Sequence, residues 1–499
     1  MSNYHHLLSK SRYVSGLQCE KKFWIEKNQK ELVPPVSAAD EARFAAGNTI
    51  GELAQQRFLG GKDATPDEFY DWGPSYEKTK QWIEEGETII YEASFFHEGC
   101  MAALDIFLKV GEEIHAVEVK SSTSVKGYHL TDCSYQYHIM KSAGFTPDRF
   151  FLMHINNQCV RNGEINLEEL FTLSDITDEV LELQDGIEDR IENLKEVIQQ
   201  EERPEVQIGE HCDKPFSCPL KSYCWKDEPQ PDILRIPYLK NKWALYYSGK
   251  KRFEDIEEEM LSPSARPLWR GVVHGEKIVR PEKIASFLDT LEYPLYFFDF
   301  ETIGPTVPMY DGTRPYQAIP VQYSLHVVLG KDVDPYHYSF LASFREEGLP
   351  HEELLEHMLE DLGTSGTILA YNQSFEIGRI KELAQLYPEH KEALGKLLAR
   401  FKDLIIPFKR KDWYLPEMMG SASIKAVFPA VCPEEEGYSE LDIAEGGTAS
   451  LDLLALANRA VPEHEVEELR EKLLAYCEMD TWAMVRIWEE MKLKVESYA

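Results

Sequence analysis

The sequence predicts an α/β protein with at least two domains. Its 499 residues exceed the ~250–300 residues at which single hydrophobic cores stop growing. Apolar runs typical of strands, and segments whose apolar spacing is helical, occur in both halves of the chain. A stretch rich in proline and acidic residues from Asp227 to Asp232 marks a boundary. We therefore expect a first domain over residues 1–228, a basic helical linker over residues 229–290 and a second domain over residues 291–499.

The composition limits the functions that the chain can have. Acidic residues outnumber basic ones by 87 to 53, and a net charge of −34 argues against nonspecific nucleic-acid binding by the whole surface. A nuclease with this balance must concentrate its basic residues or offset acidic charge with metal ions. No apolar run approaches the ~18 residues of a membrane helix, and the first residues lack a signal sequence. We therefore expect a cytoplasmic protein that does not enter a membrane.

The first two predicted helices each carry one residue of interest. Residues 11–25 predict an amphipathic helix that contains Cys19 among basic and aromatic residues. Residues 38–58 predict a second helix that contains Glu52. A glutamate in such a helix is more often an ordinary solvated residue than a ligand.

Two apolar strands joined by a tight turn form the first chemical centre. The strands cover residues 101–110 and 114–122. A two-residue hairpin turn at Gly111 pairs residues whose numbers sum to 223, so Asp105 faces Glu118. Lys120 follows on the same face, and two acids with a lysine suit a metal ion and a positive group beside a scissile phosphate. A salt-bridged trio on the surface is equally consistent with the hairpin.

An aspartate followed by Glu-x-Lys on the neighbouring strand resembles the PD-(D/E)XK nucleases, which have a restriction-endonuclease-like fold. The two serines after Lys120, and a helix that contains Gln136, resemble the RecB-like branch. This resemblance implies that Asp105 and Glu118 bind Mg²⁺ or Mn²⁺. It also implies that Lys120 assists hydrolysis and that Gln136 supports the site. Where that branch often has a histidine this chain has glycine, and the neighbouring Glu52 is assigned a supporting role.

Three cysteines, Cys212, Cys218 and Cys224, are evenly spaced in a proline-containing segment. Together with Cys19 they supply four thiolates, enough for an iron–sulfur cluster or a zinc ion. One distant cysteine plus a later triplet resembles RecB-like nucleases with a 4Fe-4S cluster, including the CRISPR adaptation nucleases, although the spacing here is wider. Zinc, or a set of unligated thiols, remains an alternative. The remaining cysteines have no companion spacing and are interpreted as core residues: Cys100, Cys133, Cys159, Cys432 and Cys477.

The segment that follows is the most basic part of the chain. Residues 175–203 before it predict a long charged helix with a mostly solvated face. Over residues 235–283, lysines and arginines alternate with aromatic residues, a pattern that suits phosphate contacts and base stacking. The candidates for nucleic-acid binding are Lys250, Lys251 and Arg252. A helical linker with solvated lysines is the alternative.

The strand Leu295–Thr302 is the feature around which the second domain is organised. Because side chains alternate along a strand, Asp299 and Glu301 share one face while the intervening phenylalanines share the other. Two buried carboxylates side by side favour a divalent-metal site. The alternative is an exposed acidic pair on a surface strand.

Three later segments add acidic residues to this candidate site. Glu376 lies near a predicted helix start, and Asp403 ends a short apolar run. Tyr476 and Asp480 are spaced i and i+4 on a predicted helix and therefore share a face. Residues 303–330 predict the neighbouring strand, whereas residues 406–450 predict a polar insertion. Its Lys425 could contact a phosphate or could simply be solvated.

The order of these motifs resembles the DnaQ-type DEDD 3′→5′ exonucleases, in the subgroup with tyrosine in the last motif, on a ribonuclease H-like fold. The resemblance covers residues 291–495. It implies two metal ions held by Asp299, Glu301, Glu376 and Asp480, with Tyr476 orienting the attacking water and Asp403 as an additional acid. The family normally has aspartate where this chain has Glu376.

The whole arrangement resembles a bacterial family described as a domain of unknown function. We expect two nuclease centres that hydrolyse DNA, preferably at single-stranded ends, by a two-metal mechanism. RNA is the alternative substrate. A helicase or another DNA-processing protein is a possible partner, which the sequence does not identify. A nucleic-acid-binding regulatory protein with one or both centres inactive is the alternative from another class.

Overall fold

The computed structural model describes residues 8–68, 71–344, 348–435, 437, 443 and 446–498. The chain divides into two compact units, Met1–Glu228 and Pro229–Ala499. This division falls within the proline- and acid-rich stretch that marks the boundary in the sequence. The segment over residues 229–290 belongs to the second unit.

The first unit contains seven strands and nine helices among its described residues. The strands are β1 (Leu8–Ser9), β2 (Lys62–Asp63), β3 (Ile89–His97), β4 (Cys100–Val110), β5 (Glu113–Lys120), β6 (Arg149–Ile155) and β7 (Phe171–Asp175). The helices are α1 (Lys10–Gln18), α2 (Glu20–Asn28), α3 (Ala38–Arg57), α4 (Gly73–Glu85), α5 (Gly127–Ser142), α6 (Leu167–Leu170), α7 (Thr177–Glu182), α8 (Ile187–Gln199) and α9 (Lys221–Cys224).

One mixed sheet forms the centre of the first unit, in the order β2-β3-β4-β5-β6-β7, with β1 parallel to β4. The hairpin of β4 and β5 pairs Ile106 with Val117, the register that the turn at Gly111 predicts. Helix α5 covers the sheet with a largely buried surface that includes Tyr135 and Gln136. Of the two acids of the hairpin, Glu118 is fully buried and Asp105 is partly buried.

Two predicted helices of this unit are interrupted in the structure. The segment over residues 11–25 breaks into α1 and α2 because Cys19 between them has an extended backbone, with φ −164° and ψ 116°. The segment over residues 175–203 breaks into α7 and α8, since Gly186 adopts a left-handed φ of +67°. Helix α8 buries one apolar stripe, and the rest of its surface is exposed or partly exposed, in line with the charged, mostly solvated helix that the sequence predicts.

The second unit contains seven strands and ten helices among its described residues. The strands are β8 (Ile278–Val279), β9 (Leu295–Ile303), β10 (Ile319–Val328), β11 (Tyr336–Leu341), β12 (Thr367–Ala370), β13 (Phe401–Asp403) and β14 (Trp413–Tyr414). The helices are α10 (Lys242–Tyr247), α11 (Arg266–His274), α12 (Pro281–Leu288), α13 (His351–Asp361), α14 (Ser374–Leu386), α15 (Lys391–Leu398), α16 (Ile406–Lys409), α17 (Ile424–Val431), α18 (Gly446–Ala457) and α19 (Glu463–Glu496).

A five-stranded sheet in the order β11-β10-β9-β12-β13 forms the core of the second unit. Its middle strand β9 runs antiparallel to β10 and parallel to β12. Phe298 and Phe300 of β9 pack into one hydrophobic cluster, and Leu295 and Phe297 pack into the other. The alternation predicted for this strand is therefore present, and it places Asp299 on the face that carries Leu295 and Phe297.

The long helix α19 lies against β9 and β10 and covers this face. At 34 residues it extends over ~50 Å. Its solvent side is rich in Glu, Lys and Arg, and within the described part of the chain no helix has both the length and the apolarity to cross a membrane.

The described part of residues 406–450 differs from the predicted polar insertion. Trp413 and Tyr414 form β14, which pairs with β8, and both side chains are buried. Phe428 of α17 is also part of the hydrophobic core. This segment therefore completes the core of the second unit, which short polar motifs in the sequence did not indicate.

Candidate functional sites

Four carboxylates from three elements meet in the second unit. Asp299 and Glu301 come from the middle strand β9, where the antiparallel pairing sets Asp299 opposite Ser324. Glu376 lies in the first turn of α14, and Asp480 lies on α19. Burial, followed by repulsion from Asp480, Glu376 and Glu301, raises the pKa of Asp299 well above its usual range. The four acids that the sequence singled out therefore share one electrostatic site.

The site concentrates more negative charge than its own residues neutralise. Burial and the charge of Asp480 raise the pKa of Glu301 to about 8, although nearby Lys425 works in the opposite direction. Burial raises the pKa of Glu376 to about 7. Glu376 is only 3% exposed, and its Oε2 has no hydrogen-bond partner in the part of the chain that the structure describes. Such a group of partly buried acids is stabilised by divalent cations.

The predicted neighbours of these acids also lie at the site. Tyr476 is nearly buried, and burial together with the charges of Asp480 and Glu301 raises the pKa of its hydroxyl. The ammonium of Lys425, in the first turn of α17, lies 5.8 Å from the centroid of the Tyr476 ring. Lys425 is therefore oriented toward the acidic centre.

Asp403 acts on the site through the backbone. It ends β13, and its Oδ1 accepts hydrogen bonds from the amides of Asn372, at 2.9 Å, and Ile405, at 3.2 Å. The first of these bonds fixes the turn that leads into α14. The charge of Asp403 also contributes to the raised pKa of Glu376. Asp403 thus positions the helix that carries Glu376.

Cys477 is the member of this site that sequence reasoning missed. Its Sγ and one oxygen each of Asp299 and Glu301 all lie within 4.8 Å of one another. The cysteine was assigned to the core because it has no partner cysteine at a ligand-like spacing. Its place on the same helix, between Tyr476 and Asp480, was the available signal.

The hairpin of the first unit holds a second acidic centre. Asp105 Oδ2 accepts a 2.6 Å hydrogen bond from the amide of Val119 across the two strands. Glu118 Oε1 accepts hydrogen bonds from Lys120 Nζ, at 2.6 Å, and from Lys10 Nζ, at 2.8 Å. Lys10 Nζ also lies 3.9 Å from Asp105 Oδ1. The hairpin trio is therefore part of a partly buried network with a lysine from α1.

Charges within this network perturb one another. Burial would raise the pKa of Glu118, but Lys10 and Lys120 outweigh that effect and hold it below its usual range. Burial and the charge of Glu118 raise the pKa of Asp105 to about 6. Burial and Asp105 raise the pKa of Glu92, on β3, to about 8. Glu118 thus stays ionised. The positive charge that remains is too small to keep the pKa of Asp105 and of Glu92 at their usual values.

Helix α5 supplies the remaining polar groups of the first centre. Asp132 Oδ2 accepts a 2.8 Å hydrogen bond from Lys120 Nζ, and Gln136 lies one turn further along the same face of α5. Gln136 is fully buried, and neither end of its amide has a partner among the described residues. Glu118 Oε2 is likewise buried and unpartnered within that part of the chain. These orphaned polar atoms fit a cation or a polar substrate at this centre.

Three residues of the first centre were not identified from the sequence. Lys10, Glu92 and Asp132 were missed; of these, Glu92 alone left a local signal, as a charge inside the apolar run of β3. Glu52 is exposed on α3, a helix that packs against β5. Its supporting role at the centre stays a prediction.

All four predicted cluster cysteines line one pocket of the first unit: Cys19, Cys212, Cys218 and Cys224. Each is a free thiol. Burial raises the pKa of Cys19, Cys218 and Cys224, and the neighbouring thiols of the set raise it further. Lys21 and Lys22 line the same pocket and favour the thiolate forms.

The pocket is fastened to α1 by Gln18. Its side-chain amide donates 2.8 Å hydrogen bonds to the carbonyls of His211 and Phe216, which flank Cys212 in the loop. Inside the loop, the amide of Cys218 donates to the carbonyl of Cys212 at 2.8 Å. Hydrogen bonds therefore join the two distant parts of the sequence that supply the four thiols.

The basic segment of the second unit uses part of its charge internally. Lys251 Nζ lies 4.9 Å from the centroid of the Tyr246 ring, and the backbone amides of Lys251 and Arg252 both donate to Asp255. Arg252 is exposed and Lys250 is partly exposed. The segment therefore combines packed aromatic rings with cations that reach solvent, and its role in binding nucleic acid stays a prediction.

These elements define a mixed α/β protein with two partly buried acidic centres and a four-thiol pocket. A family model described as Domain of unknown function (DUF2779) matches residues 296–423. The matched stretch contains Asp299, Glu301, Glu376 and Asp403, and it ends before α19.

Two curated relatives match similar shares of this chain. An uncharacterized protein of Mycoplasma genitalium is 24% identical over 220 residues, which is 41% of this chain and 33% of the relative. An uncharacterized protein of Ureaplasma parvum is 23% identical over 208 residues, which is 38% of this chain and 30% of the relative. The chain thus spans about a third of the length of these relatives. Their names assign no activity.

Proposed function

We propose that this protein is a metal-dependent nuclease whose second unit is a 3′→5′ exonuclease of the DEDD type. The observation that carries the proposal is the meeting of Asp299, Glu301, Glu376 and Asp480 at one partly buried site beside Tyr476. The mixed sheet, with its two acids on the middle strand, is compatible with the ribonuclease H-like fold that the motif order resembles.

The donor set suits a pair of hard divalent cations, because carboxylate oxygens are the ligands that Mg²⁺ and Mn²⁺ prefer. Such ions, when bound, lower the pKa of water and stabilise the charge that develops on a phosphodiester. The protein's own part is to hold four carboxylates together in a partly buried site. Tyr476 orients the attacking water through its hydroxyl, and Lys425 contacts a phosphate of the substrate.

We assign a second nuclease centre to the first unit. Asp105 and the unpartnered Oε2 of Glu118 supply the metal ligands, and Lys120 lies beside them as the positive group for the scissile phosphate. Lys10 adds a second cation on the other oxygen of Glu118. This arrangement supports the interpretation of the hairpin as part of a RecB-like nuclease centre.

The four-cysteine pocket is proposed to hold a 4Fe-4S cluster. Three ligand atoms of a single zinc ion lie close together, whereas a cluster keeps its thiolates apart because the inorganic core lies between them. Among the described residues, three potential ligand atoms lie within 4.8 Å of one another at Asp299, Glu301 and Cys477. The four thiols of the pocket contain no such set of three. This spacing favours a cluster over zinc.

The proposed substrate is DNA with single-stranded ends, and RNA is the alternative. The partly exposed Lys250, the exposed Arg252 and the nearby aromatic rings supply phosphate contacts and stacking surfaces in an otherwise acidic chain.

The test compares the full-length protein with Asp299→Ala and Glu118→Ala variants on end-labelled single- and double-stranded DNA and on RNA. With Mg²⁺ or Mn²⁺ we expect shortening from the 3′ end that Asp299→Ala abolishes, and a second cleavage activity that Glu118→Ala abolishes. Folded wild-type protein that degrades none of the substrates with either metal would contradict the proposal.

One observation favours a regulatory role for the first centre. Lys10 and Lys120 together neutralise Glu118 without a metal ion. If Glu118→Ala leaves cleavage unchanged but weakens binding of labelled DNA, the first unit binds nucleic acid and only the second unit is catalytic.

A further inference from the structure

Cys477 brings a different kind of donor atom to the acidic centre of the second unit. Its side chain is fully buried, so it reaches the interior of the site and not bulk solvent. Its Sγ lies within 4.8 Å of a carboxylate oxygen of Asp299 and of Glu301, and those two oxygens satisfy the same limit with each other. Two carboxylates and a thiol therefore face one small volume.

The spacing of these atoms is close to that of ligands around one ion. Donors bonded to a tetrahedral Zn²⁺ at about 2.0–2.3 Å lie roughly 3.3–3.8 Å apart. The observed limit of 4.8 Å therefore requires a contraction of only about 1 Å, which small side-chain rotations supply.

A separate observation points to a cation at the same place. Glu376 is 3% exposed, its Oε2 has no hydrogen-bond partner among the described residues, and its charge acts on both Asp299 and Glu301. A buried carboxylate oxygen without a partner is costly unless a cation or donor satisfies it. The unsatisfied oxygen of Glu376 therefore favours a cation at the acidic centre independently of the three donors above.

We propose that Asp299, Glu301 and Cys477 form a mixed carboxylate and thiolate site that binds a thiophilic divalent cation of the Zn²⁺ class. Thiolate ligands select Zn²⁺ over Mg²⁺, which prefers six oxygen ligands and retains several waters. The thiol proton is released to solvent when the metal–sulfur bond forms. The inference rests on the proposed metal-binding role of Asp299 and Glu301, but it does not require nuclease activity.

The consequence is competition at one site. A cation held partly by sulfur displaces the Mg²⁺ that supports cleavage, because the two ions share Asp299 and Glu301. Zn²⁺ therefore inhibits the Mg²⁺-dependent reaction of the second unit, and Cys477 determines how strongly it does so.

The experiment uses Cd²⁺ alone as the probe, because Cd²⁺ bonded to thiolate absorbs in the ultraviolet. The full-length protein is titrated in parallel with Cys477→Ser, Asp299→Asn and, as the matched control, Cys432→Ser, which alters another buried cysteine of the second unit. We expect Cys477→Ser and Asp299→Asn each to weaken one Cd²⁺ site per chain by at least about tenfold, the lower end of what loss of even an outer partner costs a metal site. Cys432→Ser should leave Cd²⁺ binding unchanged. Cd²⁺ binding at the four-cysteine pocket should be the same in all of these proteins.

Unchanged Cd²⁺ binding in Cys477→Ser overturns the inference. If that variant does not fold, Asp299→Asn decides the question, since it keeps the thiol and removes its carboxylate neighbour. The two proposals fail separately. A Cd²⁺ site at Cys477 without any cleavage removes the nuclease proposal alone, whereas Mg²⁺-dependent cleavage without that Cd²⁺ site removes this inference alone.

Discussion

At the scale of single residues, Lys10 shows how much one side chain stabilises a buried acidic centre. Its Nζ donates a 2.8 Å hydrogen bond to Glu118, which is fully buried, while the Lys10 side chain itself is 27% exposed. Without Lys10, Glu118 Oε1 retains only Lys120 as its partner. A buried charge that loses a partner costs more than a surface ion pair, which typically contributes ~0–1 kcal/mol.

Lys10→Met is therefore expected to lower the free energy of unfolding by about 1–3 kcal/mol, measured by urea denaturation of the full chain. Lys62→Met is the control, because Lys62 pairs with Glu87 at 2.6 Å on the surface, where its side chain is 38% exposed. A loss in Lys10→Met no larger than in the control would show that Glu118 does not depend on Lys10.

The sequence identifies site residues where a local rule applies. Alternation along a strand places Asp299 beside Glu301, and the count across the hairpin turn sets Asp105 opposite Glu118. Lys10 escapes such rules because 108 residues separate it from Glu118 and tertiary packing alone joins them. Cys477 escapes for another reason: cysteine spacing, and not its position on a helix, was used to judge it.

At the scale of secondary-structure elements, the start of β12 depends on one glycine. Gly366 has a φ of +86°, and a Cβ added there would lie 2.2 Å from the carbonyl oxygen of Pro294. That same oxygen accepts a hydrogen bond from Thr367, the first residue of β12. A side chain at position 366 therefore disturbs the pairing of β12 with β9.

Gly366→Ala is expected to lower the free energy of unfolding by about 1–3 kcal/mol, since it combines a steric clash with a strained backbone. The matched control is Gly378→Ala within α14, where an added Cβ meets nothing within 4 Å. That change should instead stabilise the protein by roughly 0.5–1 kcal/mol. Thermal unfolding of both variants distinguishes them, and equal effects would contradict the assigned register.

Elements were predictable where periodicity was strong and uninterrupted. The strands at Asp105 and Asp299 and the helix carrying Asp480 lie where the patterns indicate. The break at Cys19 was not visible, because an extended cysteine between two helices has no glycine or proline signal. The core segment around Trp413 was also missed, since its burial depends on pairing with β8, which is far away in the sequence.

At the scale of the whole molecule, buried acids in both units make stability depend on pH in the same direction. Folding raises the pKa of Glu301 and Glu92 to about 8, of Glu376 to about 7 and of Asp105 to about 6. A carboxyl whose pKa is raised on folding contributes stability below its unfolded pKa, and that contribution is lost as pH rises through the folded value. Glu118 has the opposite sign, but its contribution is complete above 4.5.

In the presence of a chelator, the melting temperature is therefore expected to fall as pH rises from about 5 to about 8. Mn²⁺ should raise the melting temperature more at about pH 8 than at about pH 6, because protons compete with the ion at the lower pH. A Glu301→Gln and Glu376→Gln double variant should show a smaller Mn²⁺ effect. Equal Mn²⁺ stabilisation at both pH values in the wild-type protein would contradict this account.

Helix α19 supplies Tyr476, Cys477 and Asp480 and packs over β9 and β10, yet it begins forty residues after the matched family region ends. A fragment limited to that region would lack α19. The apolar side chains that α19 covers on β9 and β10 would then be exposed to water, and the site residues on α19 would be missing. Such a fragment would aggregate before it could be assayed, and its inactivity would say nothing about the full-length protein.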